Sequence, residues 1–339
     1  MRELMIRFAA LMQMLGLLLA VAVSGCTAKV NRTTQGQDSA VAYYNQGYEW
    51  AKKGDYDRAI ANFDQAIRLD PNCPRAYNNR GFAWNRKREY DRAIADFDRA
   101  TKVDPNDAYA YNNRGIAWKE KKEYVRAIAD YNEAIRLDPN NASVYTNRGV
   151  AWRRKKDYDR AFADFAQAIR IDPHFTLAYN NRGIAWTDKK DYDRAIADFD
   201  QAIRLDPSYA HAYSNRGVAR KKQKDYDQAI SDYREAIRLD PKYKDAYNNL
   251  AWLQATCPEA RFRDGHKALE NASRAYQLDS EKNAGYFDTI AAAHAEIGDF
   301  HSARQWEAKV IERLSDEKEK QACHSRLKLY EQGKPYREP

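Results

Sequence analysis

Asparagine stands at positions 45, 79, 113, 147, 181, 215 and 249, once every 34 residues without a gap. A primary amide carries both a donor and an acceptor, so a row of them can pair with a peptide backbone whatever side chains that backbone bears. About one helical turn after each member comes an apolar or aromatic residue: Tyr48, Phe82, Ile116, Val150, Ile184, Val218 and Trp252. An exposed apolar strip is costly unless something covers it. Asn45, Asn79, Asn113, Asn147, Asn181, Asn215 and Asn249, with Phe82, Ile116, Val150, Ile184 and Val218, are therefore the candidate binding residues. The alternative is that duplication copied both rows whether or not they are used.

A second row runs beside the first. Arg80, Arg114, Arg148, Arg182 and Arg216 share the same period. They could form a basic ladder for an anionic ligand. The favoured reading is that their aliphatic stems lie on neighbouring tyrosines while the heads pair with acidic residues such as Asp104 or Asp138.

Nothing in the chain reads as a catalytic constellation. There is no Gly-rich phosphate loop, Ser-His-Asp set or His-Glu metal motif. The expectation is a protein that is not an enzyme and takes no cofactor or metal. The six histidines are scattered. Cys73, Cys257 and Cys323 are too widely spaced for a zinc site or a disulfide framework, and read as chance or as one bridge between two of them.

The elements that position these rows repeat with them. Gly47, Gly81, Gly115, Gly149, Gly183 and Gly217 keep the 34-residue spacing, as do Pro71, Pro105, Pro139, Pro173, Pro207 and Pro241. A period of this length marks stacked units, none able to bury its apolar face alone. In the unit from Ala108 to Asn141, Tyr111, Gly115 and Trp118 fall on one helical stripe. Ala127, Ile128, Tyr131, Ala134 and Ile135 fall on another, after a turn at Lys122-Glu123. Asp138-Pro139 ends the second helix, since proline lacks the N–H a helix interior needs. The glycine and alanines predict close helix–helix contact, and the rings at Tyr111, Trp118, Tyr124 and Tyr131 are expected between units.

Helix pairs with an aromatic, Gly, aromatic, Ala, aromatic, Ala and Pro in this order resemble tetratricopeptide repeats. The match lies at Tyr77, Gly81, Trp84, Ala93, Phe97, Ala100 and Pro105, and the resemblance extends from about residue 40 to 314. It implies an all-α, right-handed superhelical solenoid of antiparallel helix pairs, with the asparagine row lining a concave groove. The expected divisions are six regular repeats over 40–243, two divergent repeats over 244–314, and a capping helix and tail over 315–339. The stretch from Thr256 to Gly265 lengthens the turn of the seventh repeat, either as a spacer or as a binding loop.

The first residues stand apart. Two arginines precede a nearly unbroken apolar run from Phe8 to Val23, which ends in Val23-Ser24-Gly25-Cys26. A basic start, an apolar core and small residues before a cleavage point form an export signal. The cysteine after Ser-Gly resembles a bacterial lipoprotein lipobox, which implies a signal peptide over 1–25 and lipid on Cys26. The competing reading is an uncleaved membrane anchor. Polar residues 26–39 read as a flexible tether. Thr27 after the cysteine places the chain on the outer membrane, facing the periplasm, if the host has two membranes.

With 57 Lys and Arg against 49 Asp and Glu, the chain is basic by +8. Charges of both signs alternate along the helices, and the export signal argues against nucleic acid. The expected function is a membrane-anchored scaffold of the cell envelope that binds extended segments of other envelope proteins. A lipoprotein that holds a glycan or peptide, or a regulatory subunit of a separate envelope enzyme, are the alternatives.

Overall fold

The computed structural model describes residues 34–279 and 283–338. The expected signal peptide, Cys26 and residues 26–33 of the tether lie outside the described residues. Seventeen α-helices and one short 3-10 turn, and no strand, occur among the described residues. The described residues divide into two compact parts, one up to Lys156 and the other from Asp157.

The first part holds α1 (Thr34–Lys52), α2 (Tyr56–Leu69), α3 (Pro74–Arg86), α4 (Tyr90–Val103), α5 (Ala108–Glu120), α6 (Tyr124–Leu137) and α7 (Ala142–Arg154). Helix α1 begins inside the segment expected as tether. α1 packs on α2, α3 on α4 and α5 on α6, and each second helix packs on the first helix of the next pair.

The second part opens with α8 (Tyr158–Ile171) and continues with α9 (Thr176–Asp188), α10 (Tyr192–Leu205), α11 (Ala210–Lys222) and α12 (Tyr226–Leu239). Then come α13 (Lys244–Thr256), α14 (Gly265–Leu278), α15 (Ala284–Glu296), α16 (Phe300–Arg313) and α17 (Glu317–Glu331). The pairs are α9–α10, α11–α12, α13–α14 and α15–α16, and α17 covers α16.

Regular pairs close on a glycine of the first helix, as at Gly47, Gly81, Gly115, Gly183 and Gly217. A methyl group added at Gly115 would lie 2.6 Å from the Tyr131 ring, and one at Gly217 would lie 2.7 Å from the Tyr233 ring. Real carbon atoms do not approach that closely, so the two helix axes come together only where the first lacks a side chain. The ring opposite is fully buried. Tyr131, expected between pairs, fills the inside of its own pair against Gly115 and shares one core with Val144 and Ala151 of the next helix, α7. Trp118 behaves as expected. It packs against Ala93, Ile94 and Phe97 of the preceding pair.

The turn inside the regular pairs is tight. Lys122 adopts a left-handed backbone, with φ 63°. Its N–H donates to the Lys119 carbonyl at 2.9 Å, and that of Glu123 reaches back to Trp118 at 2.9 Å. These bonds satisfy carbonyls that the helix end would otherwise leave open. Gly54 holds the same place in the first pair, with φ 78°. The second helix then starts on an aspartate in many pairs. Asp191 accepts from the Arg194 N–H at 3.1 Å and Asp225 from that of Gln228 at 3.3 Å. The repeated Asp-Tyr pairs are thus helix starts.

The lengthened turn before α14 is folded. It contains a 3-10 turn at Ala260–Phe262. The Phe262 ring lies 5.4 Å from that of Tyr226 and joins the core of Tyr233, Leu250 and Leu253. Cys73, Cys257 and Cys323 are all free thiols, each buried as a small apolar group, so of the two readings left open by their spacing, chance and a single bridge, the bridge does not form.

Helix α17 caps the last pair through Cys323 and Tyr330, both buried, and through Arg326. The Arg326 guanidinium stands 2.9 Å from Asp288 and 3.1 Å from Glu307. Two carboxylates share one cation in a buried place. Burial, and next the Asp288 charge, push the Glu307 carboxyl up to about 8. Between its unfolded value of 4.5 and about 8, the folded chain holds a proton that the unfolded chain releases. The cap must therefore weaken as pH rises through that window and level off above it. Urea melts at intervals from about pH 5 to about pH 8.5 should show this decline, and Glu307→Gln should flatten it. An equal slope in both proteins would contradict the assignment.

Candidate functional site

The arginine row is structural. Arg114 clasps Asp130 of its own second helix with two bonds, Nε to Oδ2 at 2.9 Å and Nη2 to Oδ1 at 2.6 Å. Its third nitrogen, Nη1, reaches Asp98 on the preceding second helix at 2.7 Å. Arg80 repeats the pattern with Asp96 and Asp64, and Arg216 with Asp232 and Asp200. The partners thus sit sixteen residues to either side of the arginine. This corrects the sequence-based expectation of Asp104 or Asp138, which instead end helices α4 and α6. The stems do lie beside tyrosines, with Arg114 5.2 Å from the Tyr111 ring centre and Arg216 5.3 Å from that of Tyr213. Each arginine of the row has a protein partner, Arg148 with Asn132 and Arg182 with Asp198 completing the set.

Burial outweighs the ion pair at the aspartates. Desolvation lifts the Asp96, Asp130 and Asp198 carboxyls, and the facing arginines pull the other way. Such a pair adds little net stability, but it fixes which helix faces which.

The asparagine row lies on the first helices. Asn113 Nδ2 donates to Asn78 Oδ1 at 3.1 Å, and Asn147 to Asn112 at 3.1 Å. Asn215 donates to Asn180 at 2.9 Å and Asn249 to the Ser214 hydroxyl at 3.4 Å. Asn79 donates to the Tyr44 hydroxyl at 2.9 Å. Each of these bonds joins one first helix to the first helix of the preceding pair, 35 residues back. Asn181 bonds within its own helix, to the Leu177 carbonyl at 2.8 Å, and Asn45 is exposed. The side-chain carbonyl oxygens of Asn113, Asn147 and Asn215 accept no bond among the described residues and are not sealed from solvent. Asn113, Asn147 and Asn215 therefore each spend a donor on the stack and keep the acceptor.

The apolar strip is less open than its sequence suggests. Phe82, Ile116, Val150, Ile184 and Val218 are all half-buried. Ile116 packs beside Ala127 and Tyr131, Ile184 beside Ala195 and Phe199, and Val218 against the Tyr233 core. The strip is the outer rim of the pair cores.

Sequence reasoning missed what lies on this face in the second part. After α17 the chain turns at Gly333, with φ 67°, and residues 334–338 return across α11, α13 and α15. The Glu338 N–H donates to the Thr256 carbonyl at 2.9 Å. Its carboxylate takes Lys221 at 3.1 Å, Lys222 at 3.2 Å and the Trp252 indole N–H at 3.1 Å. The neighbouring lysines hold the Glu338 carboxyl below its ordinary range despite its burial. Arg337 pairs with Glu296 at 2.6 Å and donates to the Ala255 carbonyl at 3.3 Å. Tyr336 lies 6.0 Å from the Trp252 ring. The lengthened turn contributes too, since its Arg263 binds the same Glu296 at 3.0 Å.

Residues 142–175, 176–209 and 210–243 match a family model described as tetratricopeptide repeat, and residues 44–100 and 86–142 match a second model of the same description. The matches together run from residue 44 to 243. No curated protein matches the chain. A tetratricopeptide repeat protein from Parabacteroides merdae ATCC 43184 is 17% identical, with a TM-score of 0.53 over 87% of this chain and 99% of that one. PilF of Pseudomonas aeruginosa is 21% identical, with a TM-score of 0.53 over 61% of this chain and 95% of that one. A chain of the APC/C hetero-tetramer Cut9-Hcn1 is 17% identical, with a TM-score of 0.60 over 74% of this chain and 48% of that one. At such identities the likeness is one of fold.

The arginine clamp makes a sharp prediction. Arg114→Met strands the Asp130 carboxylate, whose side chain is 10% exposed, and should cost about 3 kcal/mol. Adding Asp130→Leu should restore most of it. Asp98→Ala, at the exposed end, should cost less than about 1 kcal/mol. Chemical denaturation of the three variants checks this, and an Arg114→Met protein as stable as its parent would refute the clamp.

Proposed function

Since the chain belongs to the tetratricopeptide repeat family, we propose that it is a non-catalytic interaction scaffold that binds extended segments of partner proteins along its first helices. The observation that carries this reading is the row of unused amide oxygens on Asn113, Asn147 and Asn215. An extended backbone offers one N–H per residue, and regularly placed acceptors can take those N–H groups without regard to side chains. The half-buried strip beside the row supplies apolar contact on the same helices.

The reading extends to location. The basic start, the apolar run and Val23-Ser24-Gly25-Cys26 support export and lipid attachment at Cys26. A chain so anchored would present its repeats to the envelope space and gather envelope proteins there. On a host with two membranes, Thr27 favours the outer one.

The asparagine row has two duties, and variants can separate them. Asn113→Ala with Asn147→Ala removes both the stacking donors and the free acceptors. Asn112→Ala removes only the acceptor that Asn147 uses for stacking and leaves the Asn147 oxygen in place. Each lost bond should cost about 1 kcal/mol of stability in either protein. Affinity for a partner recovered by crosslinking in the native host should fall roughly thirtyfold in the double variant, at about 1 kcal/mol for each lost acceptor, and hold in Asn112→Ala. Equal loss in both would make the row a stacking device alone.

The anchor is tested separately. Mass spectrometry of the mature protein should find its N-terminus at Cys26 with a diacylglyceryl adduct, and Cys26→Ser should leave the chain unprocessed. A mature chain that begins at another residue would contradict the lipoprotein reading.

A further inference from the structure

The return of residues 334–338 has the features of a bound ligand. The segment is joined to α11, α13 and α15 by a backbone bond, by charge pairs and by ring contact, and its last three side chains, Tyr336, Arg337 and Glu338, each meet a different kind of partner. Tyr336 meets the Trp252 ring. Arg337 meets Glu296, whose side chain is 13% exposed. Glu338 meets two lysines and an indole N–H. Lys221 is 14% exposed in its side chain and has no acid on its own helix for a partner; Glu338 supplies the charge.

Without the segment the same face would hold a built recognition site. Lys221, Lys222 and Trp252 would offer two kinds of donor to a carboxylate: three hydrogens on each ammonium and one on the indole. Glu296, held by Arg263 of the lengthened turn, would offer a carboxylate to a guanidinium one residue earlier along an extended chain. The Thr256 and Ala255 carbonyls would take backbone and side-chain N–H groups, as they do from Glu338 and Arg337. Successive side chains of an extended chain point to opposite sides, which lets the acid and the base reach partners on different helices.

We propose that this face of α11, α13 and α15 is a recognition site for an extended aromatic–basic–acidic segment of a partner protein, and that Tyr336-Arg337-Glu338 occupies it as an intramolecular competitor. The inference rests on the proposed scaffold function and deepens it, by giving the segment a composition and the site a built-in threshold. A partner must displace the tail, so only a segment of matching charge order, or one presented at high local concentration, gains entry. The lengthened turn of the seventh repeat is then part of the site, because Arg263 fixes the Glu296 carboxylate that Arg337 uses.

The probe is a fluorescent peptide of sequence Lys-Pro-Tyr-Arg-Glu-Pro, that of residues 334–339. The proteins are the full chain, the full chain with Glu338→Lys, and a chain ending at Gly333. Glu338→Lys places a cation against Lys221 and Lys222, so it releases the segment without removing residues and leaves the repeats unaltered. Both altered proteins should bind the probe at least tenfold more tightly than the full chain. Lys221→Glu added to the Glu338→Lys chain should abolish that gain, and a peptide of reversed order should bind no protein well. If the Glu338→Lys chain binds the probe no better than the full chain does, or if the reversed peptide binds equally, the site is not a recognition site and the tail is only part of the cap. The probe contacts no member of the asparagine pair altered above. A probe that fails while the Asn113 and Asn147 variant still loses its partner overturns this inference alone.

Discussion

The architecture depends on one contact, the meeting of a glycine on one helix with an aromatic ring on the next. At Gly115 there is no room for even a methyl group against Tyr131. With the axes that close, the remaining positions along the seam must also be small, and Ala117, Ala127 and Ala134 are wholly buried there. The large side chains are thereby displaced outward. Trp118 and its counterparts stand on the outside of a pair, where only the next pair can cover them. The period of the sequence is the consequence: one tight seam and one outward apolar face per unit.

Covering an apolar face does not by itself set register, and polar contacts do that here. Arg114 holds one aspartate on its own second helix and another on the previous one. Asn113 and Asn147 tie first helix to first helix on the other side. The stack is thus laced on both faces by directional bonds. Buried charge pairs of this kind are costly to break and modest in net worth, which suits them to specifying an arrangement. The last pair has no successor. Helix α17 covers it with Cys323 and Tyr330, and the tail then continues over the first helices.

The sequence makes the period, the helix pairs, the glycine seam and the Asp-Tyr helix starts legible, because each depends on residues close together in the chain. What stays hidden depends on register between helices. The partners of Arg114 sit sixteen residues to either side of it, and the Asn113 partner lies 35 residues back. Nothing in local pattern distinguishes Asp130 from Asp138 as a partner. The half-burial of Ile116 and Val218 is hidden for the same reason: a helical stripe shows direction but not how deep the neighbouring helix reaches. The return of Glu338 to Lys221 spans 117 residues, and no repeat precedes it to announce it. The three thiols illustrate the reverse case, in which spacing leaves a bridge open and three separate burial sites close it.

The central claim is that partners are held on the first helices. A photo-crosslinking residue placed singly in the full chain tests it directly in the native host. Positions 113 and 215 lie on first helices, whereas Val125, 66% exposed, lies on a second helix. The account predicts the same crosslinked partner from positions 113 and 215 and none from position 125. A partner captured from position 125, with none from the other two, would contradict it.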